Sequence, residues 1–156
     1  MLSVSIPGLA DLHLEHLVCD FNGTLALDGL LIEGVRARLD ALAHDLHIHV
    51  VTADTFGRCS AELADVDCRV TILPAGAQDA AKARYVRRLG ADRTVSIGNG
   101  RNDCAMLEAA VLGIAVLGRE GAAATSIAAA QIIAPDILAA LDLLLHPLRL
   151  VASLRR

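Results

Sequence analysis

Residues 16–29 read HLVCDFNGTLALDG. An apolar run, His16 to Cys19, ends on a single carboxylate, Asp20, and gives way to Asn22, Gly23 and Thr24. A short apolar run bounded by turn residues is the pattern of a buried β-strand. Asp20 then stands where the strand stops, and two readings are open: a cap for the turn, or a reactive carboxylate. A second carboxylate at position 22 would suggest acid–base chemistry, but Asn22 holds that place.

Upstream, LSVSIPG and LHLEHLVCD alternate apolar and polar residues around Pro7-Gly8. That predicts an N-terminal hairpin extension over residues 1–14 leading into the buried strand. Downstream, helical spacing in IEGVRARLDALAHDL (32–46) precedes a second strand in HIHVVTAD (47–54) and a short helix in GRCSAELAD (57–65). CRVTIL (68–73) is a third strand, and AQDAAKARYVRRLG (77–90) a helix stopped by Gly90. RTVSIG (93–98) is a fourth strand and NDCAMLEAAV (102–111) a helix; GIAVLG, GAAATSIAAA, QIIA and DILAALDLLL continue the alternation. Units of this length predict a mainly parallel sheet with helices on both faces. The expected fold class is α/β, a Rossmann-like three-layer α/β/α sandwich, formed as one domain over residues 1–156.

The chain is 54% hydrophobic, enough for a sizeable core. Its C-terminal apolar stretch is interrupted by Asp142, His146, Pro147 and Arg149, and its N-terminus lacks a basic start. We therefore expect a cytoplasmic protein with no membrane partner. Cys19, Cys59, Cys68 and Cys104 show no C-x-x-C spacing and read as reduced thiols, Cys19 as core. A net charge of −4 and only three aromatic residues, Phe21, Phe56 and Tyr85, argue against a nucleic-acid partner. Of 14 basic residues only Lys82 is lysine. His47 and His49 fall on one side of their strand, where they pack, meet solvent or hold a metal.

In parallel α/β sheets the ligand lies outside the carboxyl ends of the strands. The first strand ends in Asp20 and the second in Thr52. The fourth runs into IGNGRND with Asn99, Asn102 and Asp103, and the loop after the third leads to Lys82. A turn cap explains any one of these, but not so easily all four. A carboxylate nucleophile, a hydroxyl, one ammonium and an Asn/Asp cluster suit a phosphoryl group. Magnesium takes oxygen ligands and keeps several waters, so few carboxylates suffice. Gly23, Gly98 and Gly100 let backbone approach a phosphate closely.

DFNGT (20–24), VTAD (51–54), Lys82 and GNGRND (98–103), in this order, resemble the four motifs of the haloacid dehalogenase-like hydrolase superfamily. The resemblance runs from about Glu15 to about Leu145 and is closest to soluble, stand-alone relatives of the P-type ATPase phosphorylation domain. It implies Asp20 as a nucleophile that becomes an aspartyl-phosphate. It further implies Thr52, Lys82, Gly23, Asn102 and the Ala53 backbone around the phosphate, and Mg2+ between Asp20, the Asn22 carbonyl, Asn99 and Asp103. Two departures stand out. Asn22 replaces the aspartate that protonates the leaving group in most phosphatases of the superfamily, and Asn99 replaces a metal-ligating aspartate. Asp54 either matches the ATPase pattern and serves as acid, or caps the helix after it. Arg101 either meets an anionic substrate or is solvated.

Only about one helix and its turns separate successive motifs, so no cap domain is expected and the site should be open. The chain holds no nucleotide-binding domain and is not expected to pump ions. A homo-oligomer is expected, with the run DILAALDLLLHPLRLVASL as an exposed apolar face. The resemblance implies a small phosphorylated substrate or a phosphoprotein as the partner. Two functions remain: a magnesium-dependent phosphohydrolase weak toward alkyl phosphates, or a catalytically impaired phosphate-binding or regulatory module.

Overall fold

The computed structural model describes residues 1–156. The predicted N-terminal hairpin forms from β1 (Leu2–Val4) and β2 (Leu12–Leu14), antiparallel with Leu2 opposite Leu14. β3 (His16–Cys19) follows directly. A small ribbon, β4 (Ala26–Leu27) and β5 (Leu30–Leu31), then stands between β3 and α1 (Val35–Leu42). Thereafter come β6 (His47–Thr52), α2 (Cys59–Glu62), β7 (Arg69–Ile72) and α3 (Gln78–Leu89). β8 (Thr94–Gly98), α4 (Cys104–Ala109), β9 (Leu112–Val116), α5 (Ala124–Ala129) and β10 (Ile132–Ala134) continue the alternation. The chain closes with α6 (Ile137–Leu145) and α7 (Pro147–Leu154).

Six strands form one parallel sheet in the order β10-β9-β8-β3-β6-β7. From β3 the chain first builds outward through β6 and β7. It then returns to the other side of β3 and builds outward again from β8. This reversal opens a crevice at the carboxyl ends of β3 and β8, the place where such sheets bind ligands.

Alternation along β3 shows how both faces are covered. Leu17 and Cys19 join the larger core with Ile48, Val50, Val95 and Ile97, beneath Leu39 of α1 and Leu141 of α6. Val18 points the other way, into a smaller cluster with Val51, Val86 of α3 and Met106 of α4. Period-two side chains on a strand buried on both faces give the continuous apolar run that the sequence shows.

Several predicted elements change at their ends. The helix expected over 32–46 begins only at Val35, because Gly34 sits at φ 86, outside helical backbone. The helix after β8 opens with a tight turn at 101–103 before α4 begins. The C-terminal run expected as an exposed apolar face instead buries Ile137, Ala140, Leu141, Leu144 and Leu150 and packs Leu138, Leu143, Leu145, Val151 and Leu154, half-buried, against the core, which corrects that expectation. Pro147 starts a new helix, α7 bends 102° away from α6, Leu150 joins the core that also holds Val4, Ile6 and Leu12 of the N-terminal hairpin, and the Arg156 N–H donates to the Pro7 carbonyl at 3.2 Å. Leu148, 84% exposed, is the exception. No single helix is long and apolar enough to cross a membrane.

Candidate functional site

Asp20 follows β3 directly and is tied to its neighbour by an N–H bond to the Ile97 carbonyl at 3.0 Å. On α3, Arg84, Arg87 and Arg88 point to solvent while Lys82 is 0% exposed. Its Nζ donates to Asp20 Oδ1 and to Asp103 Oδ1, each at 2.6 Å. A solvated helix face does not describe this lysine. A buried ammonium is tolerated only with close, well-formed partners, and here it has two.

Two carboxylates around one ammonium leave an excess negative charge in a desolvated place. Burial, and then the Asp103 carboxylate, push Asp20 up to about 7, against the pull of Lys82. Burial alone would lower Lys82; the two aspartates outweigh it and raise its pKa, so it keeps its charge. An added cation beside Asp20 would relieve the excess.

The GNGRND loop is wound around Asp103. Its Oδ2 accepts the Asn99 N–H at 3.0 Å and the Gly100 N–H at 2.9 Å, so both carboxylate oxygens already have partners. Gly98 is required here, since a Cβ on it would lie 2.6 Å from the Asp103 Cγ. Asn99 Oδ1 accepts the Thr24 hydroxyl at 3.2 Å, and its Nδ2 donates to the Gly121 carbonyl at 3.0 Å. Gly23, at φ 79, packs closely against Asn99. A Cβ there would meet Asn99 Nδ2 at 2.6 Å and Glu120 Oε2 at 2.9 Å.

Asn22 stands in the turn between Asp20 and Gly23. Its side-chain oxygen and nitrogen are both buried without a hydrogen-bond partner. Its backbone N–H and carbonyl make no hydrogen bond within the protein either. Buried polar atoms are almost always paired, so four open groups on one residue mark a place shaped for something else.

Thr52, 2% exposed, ends β6 beside β3, and its Oγ1 accepts the Asp54 N–H at 3.0 Å. The Ala53 N–H meets no protein acceptor. Asp54, at φ 49, turns its carboxylate to α2, where Oδ1 accepts the N–H groups of Arg58 and Cys59 at 3.0 and 3.1 Å. Of its two readings, the helix cap is the one the structure bears out. Asn102 makes no hydrogen bond to Asp20, Thr52 or Lys82; its Nδ2 donates to Gln78 Oε1 at 3.1 Å, tying the loop to the first turn of α3. The Gly23 N–H is likewise committed to the Ala26 carbonyl at 2.8 Å. Arg101 is exposed.

Asp20, Lys82, Asp103 and Asn99 thus form one connected cluster, with Thr24 and Glu120 joining it unforeseen. The ribbon β4–β5 beside them was signalled by Asp28-Gly29 between leucines, a two-residue hairpin turn with both φ positive, 52 and 78. His49 is buried against the Tyr85 hydroxyl at 3.0 Å and His16 at 3.2 Å, which makes it a packing residue. No group of three or more His, Cys, Asp or Glu side chains is placed to hold a metal, so amide, backbone or water oxygens would complete the ligand set of an ion beside Asp20.

No protein-family model matches the chain. Among solved structures, the 3-deoxy-D-manno-octulosonate 8-phosphate phosphatase of Moraxella catarrhalis, in complex with magnesium, phosphate and KDO, superposes with TM-score 0.71. It is 15% identical, over 85% of this chain and 86% of that one. The cobalt-bound phosphatase of Haemophilus influenzae gives TM-score 0.67 at 14% identity, over 92% and 94% of the two chains. A zinc-transporting PIB-type ATPase gives 0.62 at 17%, over 79% of this chain and 20% of that one. The fold is that of the haloacid dehalogenase-like hydrolases, without a cap domain. More narrowly, the chain belongs to one family with an uncharacterized protein of Methanocaldococcus jannaschii, 40% identical over 84 residues, 51% of this chain and 90% of that protein.

Proposed function

We propose that the protein is a magnesium-dependent phosphohydrolase working through an aspartyl-phosphate on Asp20. The observation that carries this reading is Lys82, fully buried and bonded to both Asp20 and Asp103. Asp20 Oδ2 would attack phosphorus, and the bond to the leaving oxygen would break with its electron pair on that oxygen. Lys82 neutralises Asp20 and the phosphoryl oxygens. The Thr52 hydroxyl and the open N–H groups of Asn22 and Ala53 are the donors for those oxygens. Gly23 contributes close approach rather than a donor. Water then releases phosphate from Asp20.

The oxygen donors present suit Mg2+: Asp20, the open Asn22 carbonyl and Asn99 Oδ1, which keeps a lone pair beside its single Thr24 contact, with Asp103, held by three donors, reached through water. When bound, the ion would offset the negative charge that burdens Asp20 and the phosphate. The substrate is a small phosphorylated molecule or a phosphoprotein. A homo-oligomer remains part of the proposal, resting now on Ile72 and Ile133, exposed on the two edge strands of the sheet.

The second reading, a phosphate-binding module that barely turns over, is favoured by two neutral amides, Asn22 and Asn99, where charge would speed the reaction. Incubation with acetyl phosphate or p-nitrophenyl phosphate and magnesium separates the two. We expect phosphate release and a transient phosphoryl adduct in the intact mass, both abolished in Asp20→Asn with the circular dichroism unchanged. Turnover surviving that substitution would remove the covalent mechanism.

A further inference from the structure

A cavity of about 720 Å³ opens beside the reaction centre. Gly23 and Thr24 line it, so it begins at the turn that carries Asn22 and presses on Asn99. Leu31 of the β4–β5 ribbon, Val116 of β9 and Leu138 of α6 give it apolar walls. Its volume lies in the range that takes a whole small ligand, well beyond a phosphoryl group.

The charges around this cavity are unbalanced. Asp28, Glu33 and Glu120 contribute carboxylates, while Arg119 is the only cation lining it. None of these four side chains takes part in an ion pair or a side-chain hydrogen bond. Asp136 also lines the cavity, but its carboxylate is committed to the Ala139 N–H at the start of α6. All four are exposed, so they stand at the mouth of the cavity, where the excess of carboxylate favours a cationic guest and the apolar walls favour one with a hydrocarbon body. A leaving group that itself carries a carboxylate would meet repulsion here.

We propose that this cavity receives the leaving group, and that the substrate class is an aryl phosphate bearing an ammonium group, the phosphate ester of an aminoalkyl phenol, whose oxygen departs without the proton that Asn22 cannot supply. The proposal rests on the phosphohydrolase reading for the position of the phosphoryl end, at Asp20 and Lys82. The ammonium is placed at the mouth of the cavity, which Asp28, Glu33 and Glu120 line, and the hydrocarbon part along Leu31, Val116 and Leu138.

Binding of inert phosphonates reads the cavity independently of turnover. The probes are 4-(aminomethyl)benzylphosphonate, 4-methylbenzylphosphonate and 4-(carboxymethyl)benzylphosphonate, titrated by calorimetry with magnesium present. The expected order is ammonium tightest and carboxylate weakest, with a spread of about 10-fold at low salt that narrows as salt is added. In the double variant Asp28→Asn, Glu33→Gln the spread should shrink to about twofold, with the methyl probe unchanged; asparagine keeps the left-handed turn at position 28. Glu33→Gln alone, outside that turn, should give a partial loss. Equal affinities, a preference for the carboxylate, or no binding of any probe at millimolar concentration overturns the proposal. Hydrolysis of 4-methylphenyl phosphate, followed in parallel, reports on the phosphohydrolase reading alone. Turnover without charge order removes the cavity's role and leaves the hydrolase. Charge order without turnover does the reverse.

Discussion

Asn22 decides more of the chemistry than its neutral side chain suggests. A positioned general acid contributes about 100- to 10,000-fold by protonating the departing oxygen, and an amide cannot supply that proton. The one alternative visible in the motifs, Asp54, has its carboxylate turned to the N–H groups of Arg58 and Cys59. Alkyl phosphates, whose leaving group needs a proton, should therefore react slowly, while acyl and aryl phosphates leave unaided. Asn22→Asp should raise kcat/KM for an alkyl phosphate by about 10-fold or more and leave acetyl phosphate nearly unchanged. A wild-type protein that already prefers alkyl phosphates would contradict this account and direct attention to Glu120, the carboxylate next to Gly23. Asp20, Lys82 and Asp103 could be singled out from the sequence because their place at strand ends and along one helix is enough to bring them together. Asn102 and Gly23 could not be assigned their partners, because Gln78 and the Ala26 carbonyl compete for them only once the chain is folded. Glu120 arrives from the loop after β9, which no motif of the site marks.

Among the elements, long periodic segments such as α3 were legible, and short ones set by a single turn were not. β4 and β5 are two residues each, too brief for an alternation to register, although Asp28-Gly29 names their turn. β6 shows a different limit. Its spacing placed His47 and His49 on one side of the strand but not what lies over them. Burial, followed by the positive neighbours His16 and Arg69, lowers His49 from 6.5 to about 4. Between those values the unfolded chain binds a proton that the folded protein refuses. Stability is therefore full above about pH 6.5 and is lost as pH falls toward 4. The loss should be on the order of 2 kcal/mol. His49→Gln gives up the titration but keeps a polar group for the Tyr85 hydroxyl, and its unfolding free energy should change less over this window. Parallel denaturant titrations at pH 7 and pH 4.5 measure the difference. Equal slopes in both proteins would assign the acid sensitivity elsewhere, first to His16, whose pKa burial also lowers.

For the molecule as a whole, the alternation of strands and helices was enough to give a parallel sheet covered on both faces. It was not enough to give the strand order, because nothing local tells β8 to return beside β3. That return puts Asp20 and Asn99 across one crevice. The position of α7 was equally hidden: its apolar residues read as an outer face, and only the 102° bend after α6 turns Leu150 back into the core. One further property follows from Lys82. Every arginine or lysine side chain at the surface is a guanidinium, so the only ε-amine in 156 residues is sealed between two carboxylates. An amine-acylating reagent should modify the N-terminus at once and the lysine only when α3 lifts away from the sheet. The second acyl group on the intact protein then acts as a clock for that opening, in the manner of hydrogen exchange. Phosphate analogues that span Asp20 and Lys82 should slow the clock, and the delay measures how firmly a ligand closes the site.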